Sequence, residues 1–210
     1  MKSLKEKVYE ILKEMIISGT LKYNERIEED LLATSLKVSR TPVREAINKL
    51  EQNGWINIIP RRGIFVSNIS LKAINDIFKV RLNVEPLILK MGFDNIPLNE
   101  CEKFKNHFKS FLNKNLNKED AQILDKLDND LHFLILKNCN NNFLEKMMEN
   151  VYEHNMRLRN QSIQSNERRL KATKEHIDLI DALLEKNLDK AIELIKDHNI
   201  KAQKDFFNSL

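Results

Sequence analysis

The sequence predicts a mainly α-helical protein in two parts, an N-terminal part that ends in a β-hairpin and a C-terminal all-α helical bundle. Three observations favour this class. Apolar residues recur at helical spacing up to Leu50. Two β-rich runs follow, Trp55–Ile59 and Ile64–Ser67, on either side of a turn. From Ser70 onward the apolar patterns are helical, so we place the two domains at residues 1–69 and 70–210.

The segment from Val38 to Ala46 is typical of a helix start. Ser39 can accept a hydrogen bond from a backbone N–H of the first turn, and Pro42 falls where a missing backbone donor costs little. The helix that begins here would present two faces. The apolar face comprises Val43, Ala46, Ile47 and Leu50, and the polar face comprises Arg40, Arg44 and Asn48.

This helix would be the second of a helix-turn-helix arrangement. Residues 28–36 carry three leucines at helical spacing, and the short link Lys37–Val38 joins them to the next helix. Downstream, Gly54 can end the helix, and the hairpin carries Arg61 and Arg62 at its turn, as a wing does. A guanidinium can bond a guanine bidentately or clamp a phosphate, so arginines in these places indicate a DNA-binding protein.

Residues 4–68 resemble the winged helix-turn-helix domain of the GntR family of bacterial transcription regulators. The resemblance is carried by many positions in one order: Ile17, Gly19-x-Leu21, Arg26–Ile27, Leu32–Ala33, Val38–Ala46, Leu50–Glu51, Gly54–Trp55, and Arg62–Gly63 with Val66. It implies that Arg40 and Arg44 read bases and phosphates. The residues that would support them are Ser39, Thr41, Arg62 and Gly63. The family normally has Pro-Gly at Tyr23–Asn24 and glycine at Lys37, so we expect a slightly adjusted turn and an unaltered fold.

The rest of the chain predicts a bundle, because each segment has an apolar stripe that must be buried against another. Short links rich in Asn and Lys separate the segments. Pro86 favours a break in the first helix. Phe104, Phe108 and Phe111 form one stripe and are expected in the core. The expected helices are 71–91, 98–114, 118–138, 142–160, 166–186 and 188–208.

Four residues of the bundle have the chemistry of a metal site. Asp128 and His132 stand four residues apart, so both lie on one face of a helix. His176 and His198 are equally far along the chain from Asn187, which lies in the turn between the last two helices. In an antiparallel hairpin both would sit about 16 Å from that turn. One carboxylate and three imidazoles suit a divalent metal such as zinc, nickel, manganese or iron.

Residues 71–208 resemble FCD, the all-helical ligand-binding domain of FadR-like GntR regulators, in which an Asp-x-x-x-His pair and two later histidines bind a divalent metal. The resemblance rests on Asp128, His132, His176, His198 and the Arg81-x-x-x-Glu85 helix. It implies one metal ion per chain, with coordination positions left open for an organic acid. Arg81 and Arg159 are candidates for pairing with the carboxylates of such an effector, or else for structural salt bridges or solvated charges.

These features predict a transcription regulator rather than an enzyme. We expect a homodimer that binds double-stranded DNA at a palindromic operator and represses transcription. A small carboxylate effector bound beside the metal would alter the spacing of the winged domains and release the operator. Two alternatives stay open: a regulator whose metal is purely structural, and a metal-dependent hydrolase.

Other features of the sequence limit where the protein acts. No apolar run approaches the roughly 18 residues of a membrane span, so we expect a cytoplasmic bacterial protein without a membrane partner. The net charge is only +4, and the basic residues stand out in the predicted DNA-binding part. Cys101 and Cys139 lack metal-like spacing and are expected to be free thiols. His107 and His154 match no ligand position and are expected at the surface.

Overall fold

The structure is a computed structural model, and it describes residues 3–161 and 165–208. It is mainly helical with one small antiparallel sheet, which confirms the predicted fold class. The chain divides into two compact units, with the boundary between Ser70 and Leu71. Within the described ranges, no helix combines the length and the apolar character needed to cross a bilayer. The elements are α1 Leu4–Ile17, β1 Arg26–Ile27, α2 Glu29–Ser35, α3 Arg40–Gln52, β2 Ile56–Ile59, β3 Gly63–Val66, α4 Leu71–Gly92, a 3-10 turn Phe93–Asn95, α5 Leu98–Lys109, α6 Lys118–Lys137, α7 Asn142–Gln161, α8 Asn166–Leu184 and α9 Leu188–Asn208.

The N-terminal unit is built on the packing of α1 against α3. α1 begins at a capping box in which the side chains of Ser3 and Glu6 each bond the other residue's backbone N–H. α3 buries the apolar face that the sequence predicts. Burying one large aliphatic side chain contributes about 1.5–3 kcal/mol, so this face anchors the helix that carries the polar residues. The buried side chains are Val8, Leu12, Ile16, Val43, Ala46, Ile47, Leu50 and Trp55.

The sheet of this unit has the order β1-β3-β2, with antiparallel neighbours. The hairpin of β2 and β3 is the predicted wing, and it pairs Ile56 with Val66 and Ile59 with Gly63. β1 was not predicted, because two residues are too few to show an alternating pattern. Its pairing of Arg26 with Phe65 ties the segment before α2 to the wing.

The turn between α2 and α3 keeps a glycine-like conformation although Lys37 occupies it. Lys37 has a φ of 54°, its N–H bonds the Thr34 carbonyl at 3.2 Å, and the Val38 N–H bonds the Ala33 carbonyl at 3.0 Å. These two bonds define a Schellman motif, which requires a left-handed residue. Asn24 is left-handed as well, with a φ of 60°. The expected adjustment of the turn is therefore wrong, because the helix end imposes this geometry on the lysine.

The C-terminal unit packs α4 against α9, α5 against α8, and α8 against α9 as a hairpin. α6 contacts α4, α7 and α8 and so lies among them. α4 runs through Pro86, so the expected break is wrong; burial of Glu85, Ile88 and Leu89 around the proline holds the helix together. α5 ends at Lys109, before the predicted residue 114, yet Phe111 is buried as its stripe predicts.

Replacing Lys37 with glycine is expected to stabilise the N-terminal unit. A left-handed conformation costs a residue with a Cβ about 1–2 kcal/mol. Glycine loses more backbone entropy than other residues on folding, which costs about 0.5–1 kcal/mol. The relief of strain should exceed this cost, so the free energy of unfolding should rise by about 0.5–1 kcal/mol. Urea unfolding followed by the fluorescence of Trp55, the single tryptophan, measures this. Lys37→Ala removes the charge but keeps the Cβ and should change little; equal stability of the two variants would contradict the strain.

Candidate DNA-reading surface and metal centre

The recognition helix α3 presents its predicted polar face to solvent. Ser39, Arg40, Thr41 and Arg44 are all exposed. Ser39 is the N-cap residue, but within the described chain its side chain makes no capping hydrogen bond, so that expectation is wrong. The reason is Pro42, which occupies the third helical position and has no N–H to donate. The hydroxyl of Ser39 therefore does not cap its own helix.

Two carboxylates of α2 bind the arginines of α3. Nε of Arg40 lies 2.7 Å from Oδ1 of Asp30, and its Nη2 lies 3.0 Å from Oδ2. Nη2 of Arg44 lies 3.0 Å from Oε2 of Glu29, and this hydrogen bond raises the pKa of Arg44. Both guanidiniums are more than half exposed, so solvent screens these pairs and they contribute little to stability. A phosphate can therefore replace the carboxylate at little cost.

The wing carries a further exposed arginine. Arg62 is exposed at the hairpin turn, and Gly63 follows it with a φ of 119°. A Cβ at Gly63 would lie 3.2 Å from Nε of Arg26, so glycine allows the Arg26 side chain to cross the base of the wing. In the sequence, Arg26 stands out only as a carrier of the family resemblance. Its position beside the wing depends on β1, which has only two residues and is too short to be predicted from the sequence pattern.

The histidines predicted to bind a metal come together in the bundle. His132 of α6, His176 of α8 and His198 of α9 each offer a ring nitrogen, and these nitrogens lie within 4.8 Å of one another. All three side chains are almost fully buried. The ring centroids of His176 and His198 are 4.5 Å apart, because the two residues stand at equal height in the α8–α9 hairpin.

Asp128 faces two of these histidines and one arginine. Its Oδ2 lies 3.5 Å from Nε2 of His176, and its Oδ1 lies 3.8 Å from Nε2 of His132. Nη1 of Arg159 lies 2.5 Å from the same Oδ1. Burial alone would raise the pKa of Asp128, but Arg159 and the histidines hold it well below its usual value. The side chain is thus an ionised carboxylate next to three imidazoles, which is a donor set for a divalent cation.

The donor atoms of the histidines are available to a metal. Burial holds the pKa values of His176 and His198 well below their usual value although Asp128 opposes the shift, so both rings are neutral. Among the described residues, neither ring nitrogen of His176 has a hydrogen-bond partner. Nε2 of His198 has none there either. A buried polar atom without a partner costs about 1–3 kcal/mol. Coordination would remove that cost, so these residues fit a metal ion.

Both arginines considered as effector ligands are already paired inside the bundle. Nε of Arg81 lies 2.7 Å from Oε1 of Glu85, and each of these side chains is 1% exposed. Burial would raise the pKa of Glu85, but Arg81 holds it below its usual value. Arg159 pairs with Asp128. Nη1 of Arg81 nevertheless has no hydrogen-bond partner within the described chain, so one donor of this guanidinium is unused.

A cavity of about 30 Å³ lies beside the histidines. Arg81, Arg159 and Arg168 line it together with Asn155 and His198. It has room for little more than a water molecule, so an organic acid can enter only if the lining side chains move. Arg168 is not predictable from the sequence, because its spacing along the chain does not distinguish it from the basic residues around it.

Two family models match the chain. The model described as bacterial regulatory proteins, gntR family, matches residues 4–66, and the model of the FCD domain matches residues 76–201. The first match spans the recognition helix and the wing. The second covers more than half of the chain and includes the aspartate and the three histidines.

Known proteins extend this likeness over most of the chain. The HTH-type transcriptional regulator YdhC of Bacillus subtilis (strain 168) is 29% identical over 195 residues, which are 90% of this chain and 85% of the relative. The HTH-type transcriptional repressor RspR of Escherichia coli (strain K12) is 24% identical over 195 residues, 92% of this chain and 84% of the relative. A solved structure described as a GntR regulator from Rhodococcus sp. RHA1 shares the fold, with a TM-score of 0.83, 20% identity and both chains fully covered.

Loss of one histidine is expected to abolish metal binding. Purified wild-type protein should carry about one divalent metal ion per chain, and His176→Ala should carry far less, because His176 supplies one of four buried donors. Elemental mass spectrometry after incubation with zinc, nickel or manganese and gel filtration measures the ratio. His107→Ala is the matched control, since His107 is exposed and lies outside the cluster. Equal metal content in both variants would contradict the site.

Proposed function

The chain belongs to the gntR family of bacterial regulatory proteins and carries an FCD domain, and from this membership we propose that it is a metal-dependent repressor controlled by a small organic acid. The coarser function follows from the family: the protein is a DNA-binding transcriptional regulator. The relative RspR is named a transcriptional repressor, which supports repression as the sense of control. We place the protein in the bacterial cytoplasm, where its DNA lies.

The observation that carries the proposal is the buried histidine cluster with its ionised aspartate. We assign Asp128, His132, His176 and His198 as the ligands of one divalent ion per chain, either zinc, nickel, manganese or iron. The bound ion would supply a positive charge and open coordination positions for a carboxylate. The side chains of the chain itself bury this centre, keep the imidazoles of His176 and His198 neutral and keep the aspartate ionised.

The cavity next to the cluster is the proposed entry point of the effector. Arg81, Arg159 and Arg168 give it three guanidiniums, which suit the carboxylates of an organic acid. The lining comes from α4, α6, α7, α8 and α9, and the cavity is too small for such an acid in its present form. Binding must therefore shift side chains that belong to these helices. A shift of this kind is the proposed source of the change in operator affinity, with a coupling of about 1–3 kcal/mol.

The exposed arginine face and the wing are the proposed DNA contacts. We assign to DNA the residues Ser39, Arg40, Thr41, Arg44, Arg62 and Gly63, and we add Arg26 because it crosses the base of the wing. A single short recognition helix offers few base contacts. We therefore propose a homodimer whose two recognition helices read the half-sites of a palindromic operator.

Removing one guanidinium of α3 is expected to weaken operator binding. Arg44→Ala should raise the Kd for a DNA fragment selected by the wild-type protein from a random pool, by about 1–3 kcal/mol in binding free energy. The slope of log K against log salt should fall by about one. Fluorescence anisotropy over a salt series measures both. Lys171→Ala removes one exposed charge from α8 and should leave DNA binding unchanged. Unaltered affinity in Arg44→Ala would contradict the assignment of this face.

A small carboxylate is expected to bind the metal-loaded protein and to release the DNA. Calorimetric titration with a panel of mono- and dicarboxylic acids tests binding, and anisotropy with each binding acid tests release. We expect at least one acid to weaken DNA affinity about 5–150-fold, and we expect chelation to abolish this effect. If chelation lowers the melting temperature but no acid binds at millimolar concentration, the metal is purely structural and the proposed control by an effector is wrong.

A further inference from the structure

Each arginine that lines the cavity is bound to a carboxylate, and each of those carboxylates contacts a histidine of the metal cluster. Arg159 binds Asp128, which is itself an assigned ligand. The other two carboxylates, Glu85 and Glu175, lie behind the histidines. They are not assigned to the metal, so their contacts call for a separate explanation.

Glu85 lies behind His132. Its Oε2 is 3.2 Å from Nδ1 of His132, while its Oε1 is 2.7 Å from Nε of Arg81. Asn199 of α9 donates a hydrogen bond to Oε2 at 2.9 Å. The carboxylate is therefore fixed from two sides. Nε2 of His132, on the other side of the ring, lies 3.8 Å from Oδ1 of Asp128 and 3.5 Å from Nη2 of Arg81.

Glu175 takes the same place behind His198. Its Oε2 is 2.8 Å from Nδ1 of His198. Arg168 binds the carboxylate bidentately, with Nη1 3.1 Å from Oε1 and Nη2 3.3 Å from Oε2. Nε of Arg168 lies 2.6 Å from Oδ2 of Asp205 on α9, which fixes the guanidinium in turn. Nε2 of His198, on the opposite side of the ring, is buried and has no partner among the described residues.

His176 has no such carboxylate. Neither of its ring nitrogens has a hydrogen-bond partner within the described chain, and the ring stacks on Phe108 with centroids 5.2 Å apart. The three histidines are therefore held differently. Nδ1 of His198 is hydrogen-bonded to Glu175, which decides its tautomer. Nδ1 of His132 lies 3.2 Å from Glu85 but makes no well-aligned hydrogen bond among the described residues, and His176 is oriented by an aromatic ring.

We propose that Glu85 and Glu175 are positioning residues of the metal centre. Each accepts a hydrogen bond from Nδ1–H, of His132 and of His198 respectively, and so presents Nε2 of that ring to the metal. Arg81 and Arg168 act through them by fixing the carboxylates. A carboxylate at the far nitrogen sets the tautomer, orients the ring and makes the coordinating nitrogen more basic. The assignment rests on the proposed metal site and extends it to groups that do not touch the metal.

The test uses the full-length protein and zinc alone, with Kd values from competition against a chromophoric chelator. We expect Glu175→Ala to raise the Kd for zinc about 10–100-fold. Glu175→Gln should raise it less, because its amide oxygen still accepts a hydrogen bond. Glu167→Ala is the matched control. Among the described residues Glu167 of the same helix forms an ion pair only with the exposed Lys171, so its removal should leave the Kd unchanged. Circular dichroism of the metal-free variants verifies that they fold.

A double variant separates positioning from general destabilisation. Because Arg168 reaches the metal only through Glu175, Arg168→Ala should weaken zinc binding, and Arg168→Ala with Glu175→Ala should bind no more weakly than Glu175→Ala alone. If the two substitutions instead weaken zinc binding by factors that multiply in the double variant, the assignment is overturned. If Glu175→Ala does not fold, Glu175→Gln and Arg168→Ala decide, and an unchanged Kd in both would overturn it.

The tautomer of His198 is a second readout. It would not depend on Glu175 if that residue only stabilised the fold. Nitrogen NMR of the zinc-loaded wild type should show a proton on Nδ1 of His198 and zinc on Nε2. Zinc on Nδ1 would overturn the assignment. Failure of the wild type to bind any zinc would overturn the proposed metal site and this assignment with it, whereas wild-type binding with an unchanged Glu175→Ala would overturn this assignment alone.

Discussion

Charge cannot be buried in a helical bundle without a partner, and this constraint organises the C-terminal unit. Removing one member of a buried ion pair typically costs about 3–5 kcal/mol, because the other charge is left uncompensated. The pair of Arg159 and Asp128 therefore joins α7 to α6, and Asn199 joins α9 to the Arg81–Glu85 pair of α4. These are the helices that carry or surround the histidines, so the cluster is positioned by pairing of charges as much as by packing of apolar side chains.

The same pair of chemical groups has the opposite role in the N-terminal unit. There the arginines of α3 meet carboxylates of α2 in solvent, where screening leaves each pair with little effect on stability. Burial thus decides what an arginine does in this chain. Arg81 is fixed to one partner, whereas Arg40 can exchange its aspartate for a phosphate. A winged domain that must release DNA needs pairs of the second kind.

Periodicity and local chemistry predicted most of the fold and the histidine cluster, because these depend on residues close together in sequence or at regular spacing. Pro86 was misjudged because burial on both sides of a proline can hold a helix together. The N-cap of Ser39 was misjudged because Pro42 removes its hydrogen-bond donor. Glu175 was missed because its link to His198 joins two helices, and no local pattern distinguishes it from other charged residues of α8.

The three ion pairs around the histidines leave this part of the bundle electrically neutral. The guanidiniums of Arg81, Arg159 and Arg168 are matched by the buried carboxylates of Glu85, Asp128 and Glu175, whereas Asp205, the second partner of Arg168, is 44% exposed and screened by solvent. A divalent cation among the imidazoles would add two positive charges that these pairs do not offset. Burying that excess is unfavourable in a low-dielectric interior, and a counter-ion of charge minus two cancels it completely. Electroneutrality therefore favours dianions over monoanions of the same size as the companion of the metal.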